Sequence, residues 1–136
     1  MKGLGLAAGI VALIAGILES LFALFTLFGA AMGGLMASGV LPNQNNEDAL
    51  AGGIVVGIYG VFFLLAAIAG VLHLAAGISL LRNKPNPNLL WAATGASILP
   101  MCTMYCAVAA LPAGIMLLLY LVLPDKNAGA DPDILV

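Results

Sequence analysis

The chain has 136 residues, of which 63% are hydrophobic and 7% charged, against about a quarter charged in an ordinary soluble domain. At a mean hydropathy of +1.17, a water-soluble fold of this length cannot hide its apolar surface, and the composition predicts an all-α, polytopic integral membrane helical bundle with the lipid bilayer as first partner. A net charge of −2 from four basic and six acidic residues builds neither a basic face for nucleic acid nor a polybasic patch for anionic lipid.

Lys2 opens an apolar run that continues to Val40. This is longer than the roughly 7–15 residue core of a secretory signal, and it reads as a retained first membrane helix over residues 4–40. The polar stretch from Leu41 to Asp48 contains Pro42 and ends it. A second helix is predicted over 50–81, closed by the stretch Arg82 to Asn88 with Pro85 and Pro87; proline removes a backbone donor and turns the residue before it away from helix. The third apolar block, Leu89 to Leu123, would form a rod of about 50 Å, well beyond a ~30 Å hydrocarbon core. It is therefore expected to fold back between about Tyr105 and Pro112, giving helices over 89–106 and 108–123 with Pro112 in the first turn of the last. The alternative is one kinked third helix, three long helices in all. Residues 1–124 then form a single transmembrane domain and 125–136 a polar tail.

Lys2, Arg82, Lys84 and Lys126 all fall on one side of a four-helix arrangement, and the opposite loops carry no Lys or Arg. The positive-inside rule puts that side, with both termini, in the cytoplasm, and the chain is expected in a prokaryotic cytoplasmic membrane. The first two helices exceed a simple span, so their Gly- and Ala-rich outer ends are expected to project past the outer face.

Small residues recur at four-residue spacing: Gly5 and Gly9, Gly29 and Gly33, Gly53 and Gly57, Ala66 and Gly70. Lipid gives helices no hydrophobic drive toward each other, so close backbone approach at such stripes is a main source of packing energy. They fit packing within one subunit or a subunit interface.

Glu19 stands out, since no other charged residue lies between Lys2 and Glu47. An acid near the middle of a membrane helix costs about 2.5–3.5 kcal/mol on insertion scales, which the Leu, Ile, Val and Phe residues around it outweigh at about 4–7 kcal/mol. Relief requires a polar partner, water or protonation. The functional reading is a proton or cation site, with Ser20, Thr103 and Tyr105 as candidate hydrogen-bonding neighbours; the structural one is a neutral acid tying helices together. His73, the single histidine, is a further candidate for such a polar site, although a lone histidine near the cytoplasmic third of a helix reads first as a hydrogen-bonded packing residue. Counted along ideal helices, Glu19 lies about 25 Å in from Lys2 and His73 about 13 Å in from Arg82. That count sets His73 level with Ser97, and Glu19 level with Tyr105 and Cys106, so Glu19 and His73 are predicted not to meet.

Met101, Cys102, Met104 and Cys106 concentrate soft ligands suited to Cu(I), and Met32 and Met36 repeat the spacing. With no charged gathering site, these read first as apolar fillers, and no cofactor is expected. Phe22, Phe25, Phe28, Phe62 and Phe63 read as lipid or helix contacts, and Tyr59, Trp91 and Tyr120 as interfacial anchors. The sequence offers no nucleophile, histidine and acid set and no phosphate-cradling loop, so no enzyme is expected.

A Gly/Ala-rich first helix, a second ending Ala-Ala-Gly-Ile-Ser-Leu-Leu-Arg-Asn-Lys-Pro-Asn-Pro-Asn from Ala75 to Asn88, and a last helix opening Leu-Pro-Ala-Gly-Ile at Leu111 resemble small prokaryotic four-helix membrane proteins classed as domains of unknown function. The resemblance covers most of the chain and implies the four-helix layout; it carries over no functional residue. The leading expectation is a non-enzymatic protein acting by helix association, as an accessory subunit beside other membrane subunits or as a homo-oligomer. The alternative is an oligomeric proton or cation channel or small transporter using Glu19.

Overall fold

The computed structural model describes residues 2–40, 45–98 and 104–123, with side chains over 3–40, 45–98 and 108–123. These residues form four helices: α1 (Lys2–Ala37), α2 (Asn46–Leu81), α3 (Pro87–Ala96) and α4 (Met104–Val122). Two of them, α1 and α2, are long and apolar enough to cross a membrane; at 36 residues each they are rods of about 54 Å.

Cap chemistry sets the helix ends. α1 stops at Ala37, where the Ser38 hydroxyl donates to the Leu35 carbonyl at 2.8 Å and Gly39 turns left-handed at φ 70°. α2 opens on a capping box: Asn45 Oδ1 accepts from the Asp48 N–H at 2.8 Å, and Asp48 Oδ2 accepts from the Asn45 N–H at 3.2 Å. Each side chain thereby satisfies one orphan donor of the first turn. The helix begins four residues before the apolar block at Leu50, because the cap and not hydrophobicity sets its start. α2 closes with Asn83 at φ 53°, its N–H on Leu80 O and that of Lys84 on Ser79 O, the paired bonds of a Schellman ending. Asn86 caps α3, with Pro87 in its first turn, where a missing N–H costs nothing.

The third apolar block divides elsewhere than expected. α3 ends at Ala96 and not near residue 106, and α4 begins at Met104 and not at 108, with Pro112 inside it. The Ser97 N–H closes the last turn of α3 on the Ala93 and Thr94 carbonyls. Pro112 breaks no helix, because apolar membrane-type helices tolerate the one donor it removes when small neighbours pack closely, and Ala109, Ala113 and Gly114 flank it. At 10 residues, α3 reaches about 15 Å, half a hydrocarbon core.

α1 and α2 pack antiparallel over most of their length. Gly9 lies against Leu80 and Leu81, Gly16 against Gly70 and Leu74, Gly29 against Tyr59, and Gly33 against Val55 and Gly52. At Gly16 an added Cβ would come within 2.8 Å of the Leu74 nitrogen, so backbone touches backbone there. α3 and α4 cover only the half of this hairpin nearer the N-terminus of α1, and the core of that half is small-residue packing: Ala8, Ala12, Ala76, Leu80, Leu90, Ala93 and Leu117. Of the residues in the four-residue stripes, Gly5 packs on Tyr120, Gly9, Gly29 and Gly33 on α2, and Gly70 on Ser20, while Gly53 and Gly57 meet nothing within 4 Å among the described residues. Ala66 is buried. Large apolar side chains point outward from every helix, among them Leu24, Phe25, Phe28, Leu64, Val71, Trp91 and Val108.

Candidate functional site

Glu19 and His73 meet. Glu19 Oε2 lies 2.7 Å from His73 Nδ1, and both side chains are 0% exposed. The expectation that they sit at different depths is overturned, because α1 and α2 do not begin level. Gly9 is already beside Leu81, the last residue of α2, and the first two turns of α1 run on beyond it to Tyr120 of α4. Measured from the Gly9–Leu81 level, Glu19 lies about 15 Å along α1 and His73 about 12 Å along α2, within one turn of each other.

The other imidazole nitrogen reaches α3. His73 Nε2 is 2.8 Å from Ser97 Oγ, at the level the sequence count gives, and Ser97 Oγ is 3.1 Å from the Ala93 carbonyl. Gly114 of α4 presses on Ser97 from behind. A polar line thus runs Glu19–His73–Ser97 through three helices, enclosed by a fourth. Ser20 is not on it: its hydroxyl donates to the Gly16 carbonyl at 2.7 Å. The same in-helix use takes Thr26, whose hydroxyl donates to Ala23 O at 2.9 Å. The side chains of Thr103, Tyr105, Met101, Cys102, Met104 and Cys106 lie outside the described residues. Among the described residues no three His, Cys, Asp or Glu side chains gather as metal ligands.

A net charge this deeply buried costs several kcal/mol, and a neutral pair with Nε2–H carries one further proton shared between imidazole and carboxyl. Ser97 O–H donates to the Ala93 carbonyl and Nε2–H donates to Ser97 Oγ. The remaining proton lies between Nδ1 and Oε2: on the carboxyl it makes a neutral acid donating to a neutral imidazole, and on the nitrogen an ion pair. Both forms sum to zero charge, and they differ by one proton moved across a 2.7 Å bond.

One atom is left over. Glu19 Oε1 is buried and has no hydrogen-bond partner among the described residues, although buried polar atoms are satisfied in the large majority of cases. Among the described residues, Glu19 is also the one polar side chain lining a cavity of about 470 Å³ between α1 and α4, walled by Val11, Ile14, Leu18, Phe22, Val108 and Pro112 among others. Ile14, Leu18 and Val108 are themselves exposed on the outer surface, so the cavity opens sideways, between helices.

The sequence singles out Glu19 as anomalous and sets Ser97 level with His73, but the bridge between them depends on helix stagger, which no local pattern carries. No family model, curated protein or solved structure matches this chain.

Proposed function

We propose that this is a multi-pass integral membrane protein, with both termini and the Arg82 loop on the cytoplasmic side, that works as a small non-enzymatic transporter in which Glu19–His73–Ser97 takes up and releases a proton. The observation that carries this reading is the fully buried 2.7 Å Glu19–His73 contact, with Oε1 unmatched among the described residues and Glu19 lining a cavity. A carboxyl whose only task were to tie helices would be expected to satisfy both oxygens. Intramembrane ionisable groups that face a cavity mark proton or ligand pathways.

The test is reconstitution in vesicles with an imposed pH gradient. Wild-type protein is expected to dissipate the gradient, and Glu19→Gln to abolish that flux while keeping helix content and native size. Equal flux from the two proteins, or none from wild type under any counter-ion condition, removes the reading.

Association is the second reading, as homo-oligomer or accessory subunit. It is favoured by the half of the α1–α2 hairpin that α3 and α4 leave bare, where Gly53 and Gly57 present an open backbone between exposed Leu50, Ile54, Val61 and Leu64. The two readings are compatible, since the polar line and the bare stretch occupy opposite halves of the hairpin.

A further inference from the structure

The geometry points to an apolar ammonium ion, entering sideways from the bilayer and exchanged for a proton, as the ligand of the Glu19 cavity. This rests on the proton-exchanging reading above and names what the proton is exchanged for.

The ligand class follows from what the walls lack and what Glu19 retains. Among the described residues the cavity lining apart from Glu19 is hydrocarbon, and the ligand body it suits is apolar. Oε1 is an acceptor in both resting forms, so the ligand must bring a donor. Whether that donor is charged is decided by Ser97.

Its hydroxyl lies within reach of two acceptors, Nε2 at 2.8 Å and the Ala93 carbonyl at 3.1 Å, and it can turn from one to the other. Ala93 O keeps the Ser97 backbone N–H at 3.1 Å when the hydroxyl leaves. A second hydrogen-bond-complete state therefore exists. In it Nδ1–H donates to Oε2, Ser97 O–H donates to Nε2, and the site holds one proton fewer, with net charge −1. Starting from the neutral acid, the carboxyl proton crosses to Nδ1 and the Nε2 proton departs to the aqueous phase. No covalent bond other than these N–H and O–H bonds changes. That state gives up only the Ser97 hydroxyl bond to the Ala93 carbonyl, but it leaves an uncompensated charge on the Glu19 carboxylate, and a cation with an N–H donor seated at Oε1 restores neutrality. One ammonium in for one proton out keeps the buried site at zero charge throughout. A neutral alcohol satisfies Oε1 equally well as a hydrogen-bond donor, but gives the Ser97 switch nothing to compensate.

No other described titratable side chain bears on Glu19. His73 faces it from α2, and α3 carries none. On α4, Tyr120 packs at the distant Gly5, and the side chains of Tyr105 and Cys106 lie outside the described residues.

The experiment compares phenylbutylammonium with phenylbutanol, which share one body, on the full chain in nanodiscs, with empty nanodiscs subtracted. Calorimetry in buffers of different ionisation heat should give about one proton released per cation bound, and affinity should rise with pH by that linkage. The alcohol should bind roughly tenfold more weakly or worse. Leu18→Trp, which fills the cavity and leaves Glu19, His73 and Ser97 in place, should weaken the cation by a similar factor. Equal binding of the alcohol without proton release overturns the proposal, as does cation binding unchanged in Glu19→Gln. If the cation does not bind while Glu19-dependent proton flux persists in vesicles, this inference fails and the proton-transfer reading stands; loss of both defeats both.

Discussion

Gly114 of α4 sits against Ser97, so closely that a Cβ on Gly114 would lie 2.7 Å from both the Cβ and the Oγ of Ser97. Neither atom is the free end of a flexible chain, because Oγ is held between His73 and the Ala93 carbonyl. Gly114→Ala is therefore expected to push α4 away from α3 and to destabilise by about 1–3 kcal/mol, the usual range for overpacking. Gly95, on α3, has nothing within 4 Å; Gly95→Ala should be neutral or stabilising by up to about 1 kcal/mol through helix propensity. Unfolding titrations of both variants in mixed micelles check the contrast, and equal effects would show that Gly114 does not set the α3–α4 distance.

Removing one member of the Glu19–His73 pair should cost far more than removing both. His73→Leu strands a buried carboxyl with neither oxygen paired, at about 3–5 kcal/mol. The double variant Glu19→Leu with His73→Leu removes the stranded group and should recover most of that loss. A double-mutant cycle by the same unfolding titrations reads the coupling. Additive losses would mean that the 2.7 Å contact contributes nothing to stability.

These contacts mark where sequence reasoning reached and where it stopped. The all-α class and the two long helices follow from unbroken apolar runs bounded by Pro42 and Pro85, because nothing else satisfies backbone polar groups over such lengths. The start of α2 was also written in the chain, as Asn45 followed three residues later by Asp48, but an apolar boundary at Leu50 overlooks cap chemistry. The end of α3 at Ala96 is hidden, since Ala93 to Ile98 reads as continuous helix, while Pro112 attracts a break that lies elsewhere. Glu19 is conspicuous as a lone charge. Its partner is not, because a depth count assumes that neighbouring helices start level, and the overhang of α1 beyond Leu81 is a tertiary fact. Close backbone approaches between α1 and α2 at Gly16, Gly52 and Gly77 likewise fall outside the four-residue stripes, because which helix face turns inward depends on the partner.

Adjacent glycines on α2 should behave in opposite ways. A Cβ on Gly52 would lie 2.5 Å from the Ala37 nitrogen and 2.7 Å from the Gly33 carbonyl oxygen, whereas Gly53 and Gly57 meet nothing within 4 Å. Gly52→Leu is expected to separate α1 from α2 and lose the folded hairpin. Gly53→Leu combined with Gly57→Leu should leave the hairpin intact and instead reduce native size, if that open face holds a partner through close backbone approach. Native mass spectrometry after gentle extraction distinguishes the cases; unchanged native size in the double variant would remove the association reading at this face.

Ser97 separates a structural polar line from a proton-exchanging one. Ser97→Ala leaves the Glu19–His73 bond in place but takes away both the acceptor of Nε2–H and the donor that the deprotonated imidazole would need. The lost acceptor should cost about 1–3 kcal/mol of stability, a loss expected whether or not the line conducts protons. The lost donor bears only on exchange. Vesicle flux driven by a pH gradient should therefore fall by about tenfold or more in Ser97→Ala, at temperatures where the variant is fully folded. Ser97→Thr keeps a hydroxyl able to turn between Nε2 and the Ala93 carbonyl and should restore most of the flux. A variant that lost stability but kept wild-type flux would place Ser97 in the packing alone and break the link between the hydroxyl and proton release.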